Sequence, residues 1–226
     1  MSVFAIGDTH LSGAVNKPMD VFGGAWENYT EKLKYNWEKN VSDTDTVVIA
    51  GDVSWGMSMD EALCDFEFLS RLPGRKIIVK GNHDYWWDTV SKMTRMLNER
   101  GIFGFEFIYN SCVTAENYAL CATRGWCERQ NEQDDKIITR EAGRLERSLK
   151  CAPQGLEKVV FLHYPPIFEG GCIEELVSVM QKYGVKRCFY GHLHAASIKN
   201  AVRGVHSGIE FFLVSADAID FLPLKI

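Results

Sequence analysis

Lys76-Ile77-Ile78-Val79-Lys80-Gly81-Asn82-His83-Asp84 is an apolar, β-branched run that stops abruptly in Gly, Asn, His and Asp. The apolar half reads as a buried strand, because short runs of this kind bounded by polar residues suit a sheet covered on both faces. A turn after such a strand uses Gly and Asn, which tolerate the conformations that turns require. It has no use for His83 and Asp84, so the sequence here asks for chemistry as well as a change of direction.

The pattern recurs along the chain. Val3 to Ile6 ends in Gly7-Asp8-Thr9-His10, and Thr46 to Ala50 ends in Gly51-Asp52. Lys158 to Leu162 ends in His163-Tyr164-Pro165-Pro166, and Lys186 to Tyr190 ends in Gly191-His192-Leu193-His194. Helical stretches at Trp26 to Asn40 and Met59 to Arg71 separate the first three strands, giving β-α-β-α-β and an α/β fold. Further helices are predicted at Trp87 to Glu99, Glu132 to Lys150 and Ile173 to Tyr183. The charge pair Glu141 and Arg144 marks a solvated face of the second of these. Extended segments are predicted at Phe105 to Tyr109, Tyr118 to Ala122, Ser197 to Val202 and Ile209 to Val214, so the second half is expected to be more antiparallel. Ser12 to Gly24, carrying Lys17-Pro18, reads as a loop.

Bulk properties bound what these strand ends can do. The 226 residues suit one α/β domain spanning 1–226, and 46% hydrophobic with 24% charged residues is a globular composition. Nothing resembles a leader or a membrane span, so a cytoplasmic, membrane-free protein is expected. Seven cysteines without a Cys-x-x-Cys pair suggest neither a disulfide framework nor a thiolate zinc site. A net charge of -5 argues against an extensive nucleic-acid surface, which needs clustered Lys and Arg. Any anionic substrate must therefore be held by something local.

In open α/β sheets the carboxyl ends of the strands form the crevice where ligands bind, so residues far apart in sequence converge there. Five of the six histidines occupy such ends, and His206 is the exception. Each piece alone has a bland reading: Asp8-x-His10 as an ordinary loop, Gly51-Asp52 as a turn, and the spaced imidazoles of His192 and His194 as structural. Taken together after separate strands they point to a common task, since cores seldom bury so many ionisable groups without one.

The series Asp8-x-His10, Gly51-Asp52, Gly81-Asn82-His83-Asp84, His163 and Gly191-His192-x-His194 resembles the calcineurin-like metallophosphoesterase superfamily. The motifs span most of the chain, and the wording around Lys17-Pro18 and Gly51-Asp52-Val53-Ser54-Trp55-Gly56 is similar to a bacterial branch of predicted phosphohydrolases. The resemblance implies a four-layer α/β/β/α sandwich with two metal ions above the strand ends. It implies Asp8, His10, Asp52 and His194 around one ion, and Asp52, Asn82, His163 and His192 around the other, with Asp52 bridging. His83 would be the general acid beside the leaving group, with Asp84 orienting its ring and favouring its charged form.

The chemistry suits these residue types. Imidazoles, carboxylates and one amide oxygen fit two divalent or mixed-valence transition ions, manganese, iron or zinc, better than calcium. Such a pair lowers the pKa of a bridging water and aims the resulting hydroxide at phosphorus. Two ions at about +4, two carboxylates at about -2 and a hydroxide at about -1 leave a cationic cluster in an acidic protein. Arg124 and Trp126 are candidate substrate contacts, as are Trp55, Trp86 and Trp87. Gly51-Asp52-Val53-Ser54 lacks the Asp-Arg-Gly continuation of the Ser/Thr protein-phosphatase branch, so a small phosphomonoester, phosphodiester or nucleotide is the expected substrate. Two competing readings are a catalytically silent metal-binding scaffold for protein partners and a metal-dependent nuclease. The sequence leaves the oligomeric state open.

Overall fold

A computed structural model of the chain describes residues 1–127 and 132–226. Along these residues β1 (Val3–Ile6), α1 (Tyr29–Asn40), β2 (Thr46–Ile49), α2 (Met59–Ser70), β3 (Arg75–Val79), α3 (Val90–Glu99) and β4 (Phe105–Ile108) alternate strand with helix. Then come β5 (Cys112–Ala115), β6 (Tyr118–Thr123), α4 (Glu132–Lys150), β7 (Glu157–Leu162), the hairpin β8 (Ile167–Phe168) and β9 (Gly171–Cys172), and α5 (Glu174–Lys182). The chain closes with β10 (Arg187–Tyr190), β11 (Gly204–His206), β12 (Ile209–Leu213) and β13 (Leu224–Lys225).

Side-chain alternation builds the layers. Val3 and Ala5 of β1, Val48 of β2 and Ile77 and Val79 of β3 share one buried cluster with Leu120, Val159, Phe161, Phe189 and Val214. Their neighbours Phe4, Ile6, Val47, Ile49 and Ile78 point the other way, into a cluster with Leu33, Trp37, Phe66, Leu69, Met93 and Leu97 of α1, α2 and α3. Period-2 alternation with both faces apolar is what a strand between two layers requires. On the far side, Val160, Leu162, Cys188 and Phe211 pack on Ile138, Leu145 and Leu149 of α4 and on Leu176, Val177 and Met180 of α5. The result is helices, sheet, sheet, helices: the four-layer sandwich. Phe161 is fully buried between the sheets, and truncating such a ring to Ala costs about 3–5 kcal/mol.

The first sheet runs β13-β1-β2-β3-β4, with β1 to β4 parallel. The second runs β11-β12-β10-β7-β6-β5. As expected, the second half carries the antiparallel pairs, at the edges β5 and β11, in the β8–β9 hairpin and at β13 on β1; the centre of its sheet, β6, β7, β10 and β12, pairs in parallel. The physical reason for the parallel centre is that α4 and α5 act as crossovers, which bring successive strands back in the same direction. The expected strand at Ser197 to Val202 is a 3-10 helix over Ala195–Asn200, closed by Ser197, whose N–H and Oγ both donate to the His194 carbonyl.

At the top of the molecule, the Gly7 N–H donates to the Val214 carbonyl and the Ala216 N–H to that of Gly7, which stitches the end of β1 to the end of β12. The carboxyl ends of both sheets thus meet at one rim. Among the described residues, no helix is long and apolar enough to cross a membrane.

Candidate metal centre

At that rim the backbone leaves the β region. Asp8, His10, Asp52 and His192 have φ of +53°, +45°, +52° and +71°, left-handed values uncommon for residues with a Cβ. Hydrogen bonds hold them there: the N–H groups of Asp8 and His10 donate to the carbonyls of Gly51 and Asp52, and the His192 N–H donates to both Asp8 oxygens at 2.9 and 3.1 Å. Close approach explains two glycines. A Cβ on Gly191 would stand 2.5 Å from Asp8 Oδ2, and one on Gly81 would collide with the Asp52 carboxylate.

Asp84 ties two motif loops together. Its Oδ2 accepts from the N–H groups of Asp52 (3.0 Å) and Gly81 (2.7 Å), and its Oδ1 from the Val53 N–H (2.8 Å) and the Trp86 indole (3.1 Å). This corrects the expectation that Asp84 orients His83: each oxygen already has two donors, and the carboxylate is buried beneath the turn. The His83 N–H donates instead to Asp52 Oδ1 at 2.8 Å, and its ring lies 4.6 Å from Trp55 and 5.8 Å from His10. Burial lowers the His83 pKa, the opposite of the charge-favouring effect expected from Asp84.

Two sets of ligand atoms gather around Asp52. Ligand atoms of Asp8, His10 and Asp52 all lie within 4.8 Å of one another, and the three residues are buried. Both ring nitrogens of His10 lack a hydrogen-bond partner among the described residues, and its Nε2 is 3.8 Å from Asp52 Oδ2. The His194 ring stands edge-on to His10 at 5.2 Å. On the other side, Asn82 Oδ1 is 2.6 Å from His163 Nε2 and 2.9 Å from His192 Nδ1, while Asp52 Oδ2 is 3.5 Å from the same His163 nitrogen.

The donor chemistry fits cations. His163 Nδ1 is 3.1 Å from the Ala50 carbonyl, which only accepts, so the proton sits on Nδ1. The Nε2 lone pair then faces the oxygens of Asn82 and Asp52. Lone pairs converging in a buried site need a shared positive charge, as does a buried, partnerless imidazole. Burial depresses His10 to about 3 and His192, with help from His163, to about 4; it lowers His163 as well. These rings are therefore neutral, the form that binds metal. Burial, then the charge of Asp52, pushes the Asp8 carboxyl well above its usual range. Burial works against Asp52 too, yet His163, His10 and the His83 N–H outweigh it and hold Asp52 below its usual value. Asp52 thus carries a negative charge among neutral imidazoles, and a nearby cation would draw the proton from Asp8 as well, so the pair complements divalent ions.

Not every expected contact belongs to this cluster. Trp86 is buried in the core against Phe66 and clamps Asp84, and Trp55 stacks on His10 at 4.7 Å, so both shape the site from behind. This explains the aromatic pair after the motif: Trp86 anchors it and Trp87 packs on Phe107. Trp126 packs, partly buried, on the cluster of the second sheet, α4 and α5. Arg124 does flank the centre, since its carbonyl accepts from the N–H groups of His163 and Tyr164.

Other residues escaped the sequence reading. Tyr164 lies 4.3 Å from the His192 ring and accepts from the Arg124 guanidinium at 3.3 Å; its signal was its place directly after His163. The expected solvated face at Glu141 is corrected: this carboxylate is buried and accepts from Thr123 Oγ1, the Gly125 N–H and Arg144.

A sequence model of calcineurin-like phosphoesterases matches residues 1–196. No curated protein matches the chain significantly. Among solved structures, the phosphopantetheinyl hydrolase PptH from Mycobacterium tuberculosis is similar with a TM-score of 0.58 at 14% identity, covering 100% of this chain and 95% of that one. A protein of unknown function, AQ665 from Aquifex aeolicus, gives 0.54 at 17% identity over 99% and 95% of the two chains. The protein TT1561 of Thermus thermophilus gives 0.51 at 10% identity over 96% and 89%. At such identities the likeness is one of fold.

Proposed function

The chain belongs to the calcineurin-like phosphoesterase family, a metal-dependent phosphoric ester hydrolase, and from that premise we propose that it hydrolyses a small phosphomonoester, phosphodiester or nucleotide at a two-metal centre. Asp8, His10, Asp52 and His194 would hold one ion, and Asp52, Asn82, His163 and His192 the other. When bound, such ions supply Lewis acidity, a nucleophile generated from water at neutral pH and neutralisation of phosphoryl charge.

The chain's own residues do the rest. Asp52 lies between the two sets and keeps its charge, so it serves both. The Ala50 carbonyl fixes His163 in the tautomer that presents Nε2. The His192 N–H fixes the Asp8 carboxylate. His83 lies outside both sets, half-buried, with its ring on Trp55, placed to meet a leaving oxygen; burial lowers its pKa, so it carries a proton less often but gives it up more readily. Arg124 beside His163 and Tyr164 can take a phosphate oxygen. Trp126 receives no role.

The observation that carries this reading is the approach of Asn82 Oδ1 to His163 Nε2 at 2.6 Å, with the His163 proton committed elsewhere. The test is reconstitution with Mn, Fe or Zn, followed by metal counting and a panel of p-nitrophenyl phosphate, bis-p-nitrophenyl phosphate and nucleotides. Two ions per chain, one fewer in Asn82→Ala, and hydrolysis of at least one class are expected. No bound transition ion, or no hydrolysis of any phosphoester, defeats it.

A further inference from the structure

On the Tyr164 side of the metal centre lies a cavity of about 210 Å³ whose polar lining includes Lys80, Tyr109, Asn110, Arg124 and Arg144. Three cations meet there, and among the described residues no carboxylate lines it. Glu141 anchors Arg144 from behind, but its remaining acceptor capacity goes to Thr123 and Gly125. Neither Lys80 nor Arg124 makes an ion pair among the described residues. One carboxylate against three cations leaves the cavity at about +2, in a protein that is acidic overall.

The Arg124 guanidinium is the most demanding group. Its Cζ stands 5.5 Å from the Tyr164 ring centre, it donates to the Tyr164 hydroxyl, and its Nε is buried without an acceptor among the described residues. A buried N–H without a partner is destabilising, so Arg124 Nε calls for an acceptor. An acceptor carrying several oxygens and at least one negative charge would satisfy Arg124, Arg144 and Lys80 together. Phosphate does this, because guanidinium forks match its oxygens in pairs. Lys80 directly precedes the Gly81-Asn82 motif and Tyr164 touches both Arg124 and His192, so the cavity and the metal centre share a wall.

We infer that this cavity is a second anion subsite and that the substrate is an organic phosphoester carrying two phosphates, one at the metal centre and one between Lys80, Arg124 and Arg144. This deepens the phosphoesterase reading and rests on it. The second phosphate is not cleaved; it sets orientation and selects against esters with a single phosphate.

The primary test is calorimetric titration of the metal-loaded protein with inorganic phosphate. Two phosphates per chain are expected in the wild type and one in Lys80→Met, whose side chain is partly exposed and whose loss leaves the core intact; Arg144→Gln should weaken the same site at least ten-fold. A single phosphate in the wild type, or two in Lys80→Met, overturns the inference. In parallel, KM is compared for adenosine 5′-monophosphate, 5′-diphosphate, 3′,5′-bisphosphate and p-nitrophenyl phosphate. Lys80→Met should raise KM for the best two-phosphate compound about ten-fold relative to p-nitrophenyl phosphate; equal effects on both refute a separate subsite. If nothing is hydrolysed but the second phosphate is lost on mutation, the enzymatic reading fails and the anion site stands. Hydrolysis with one phosphate bound in every variant fails the subsite alone.

Discussion

Replacing Asp84 by Asn changes one atom and should destabilise the protein severely. The carboxylate accepts four N–H groups, two on each oxygen, from Asp52, Gly81, Val53 and the Trp86 indole. Asn offers a single acceptor oxygen. Whichever way the amide turns, two donors face an NH₂ group and lose their partner in a site only 1% exposed. Each unsatisfied buried donor costs about 1–3 kcal/mol, so the loss is about 3–5 kcal/mol after local relaxation. At about 2–4 °C per kcal/mol for a chain of this size, the melting temperature falls by about 10 °C. Urea unfolding with metal chelated measures the loss free of any change in metal affinity, and an exposed control such as Asp43→Asn should leave the unfolding midpoint at its wild-type value. If Asp84→Asn matches wild type, Asp84 is not the tie between the β2 and β3 loops. A large loss of activity with unchanged stability would instead return Asp84 to the orienting role first expected for it.

Gly191→Ala should push the Asp8 carboxylate off its position and lower metal affinity about 10–100-fold, read by competition with a chelator; wild-type affinity would refute the close approach. Adding metal at about 100 times its dissociation constant should stabilise the chelated protein by about 2.7 kcal/mol per site, seen as a rise in melting temperature, and no rise would contradict a preformed centre. His10 is neutral in the folded state down to about 3 but takes up a proton near 6.5 when unfolded, so acid favours the unfolded chain. Its stability contribution is complete above pH 6.5 and falls by about 1.4 kcal/mol per pH unit on the way down. In the chelated protein, His10→Gln should lose that much slope between about pH 6 and 4, and an unchanged slope would show that His10 is solvated.

The alternation of strand and helix, the five strands and the residues at their ends were legible because apolar β-branched runs contrast sharply with Gly, Asp and His. The sandwich itself came from the resemblance, since nothing in Val3 to Ile6 says which face meets a helix and which a second sheet. The antiparallel edges of the second half were foreseen but the parallel centre of its sheet was not, because parallel pairing depends on crossovers, and α4 and α5 reveal their role only once packed. Ser197 to Val202 looked extended because its short alternation cannot be told from a turn that a hydroxyl closes locally. Glu141 was the clearest loss: a pair three apart on a helix reads as surface, yet Thr123 and Gly125 bury this one from a strand end. Asp84 illustrates the same limit, since its sequence neighbour His83 suggested a partner while its actual donors come partly from Asp52 and Val53 on another loop.

The backbone of the centre connects these observations. Four positions expected to hold metal, Asp8, His10, Asp52 and His192, take left-handed conformations that cost about 1–2 kcal/mol each for residues with a Cβ. Together they approach the whole stability of an ordinary domain, about 5–15 kcal/mol. Gly at these positions would relieve the strain and remove the ligands, so the conflict is inherent to placing side chains at a sharp exit from a strand. The glycines sit one residue away instead, at Gly7, Gly51 and Gly191, where they let the loops close upon the carboxylates. What offsets the strain is partly the Asp84 tie and the bond from His192 to Asp8, and partly the cations these groups are poised to bind. On the proposed two-metal reading, folding of this rim and metal binding would be coupled: the same left-handed turns that strain the free chain would aim four side chains at two points, and the ions would return that energy only when all four are in place.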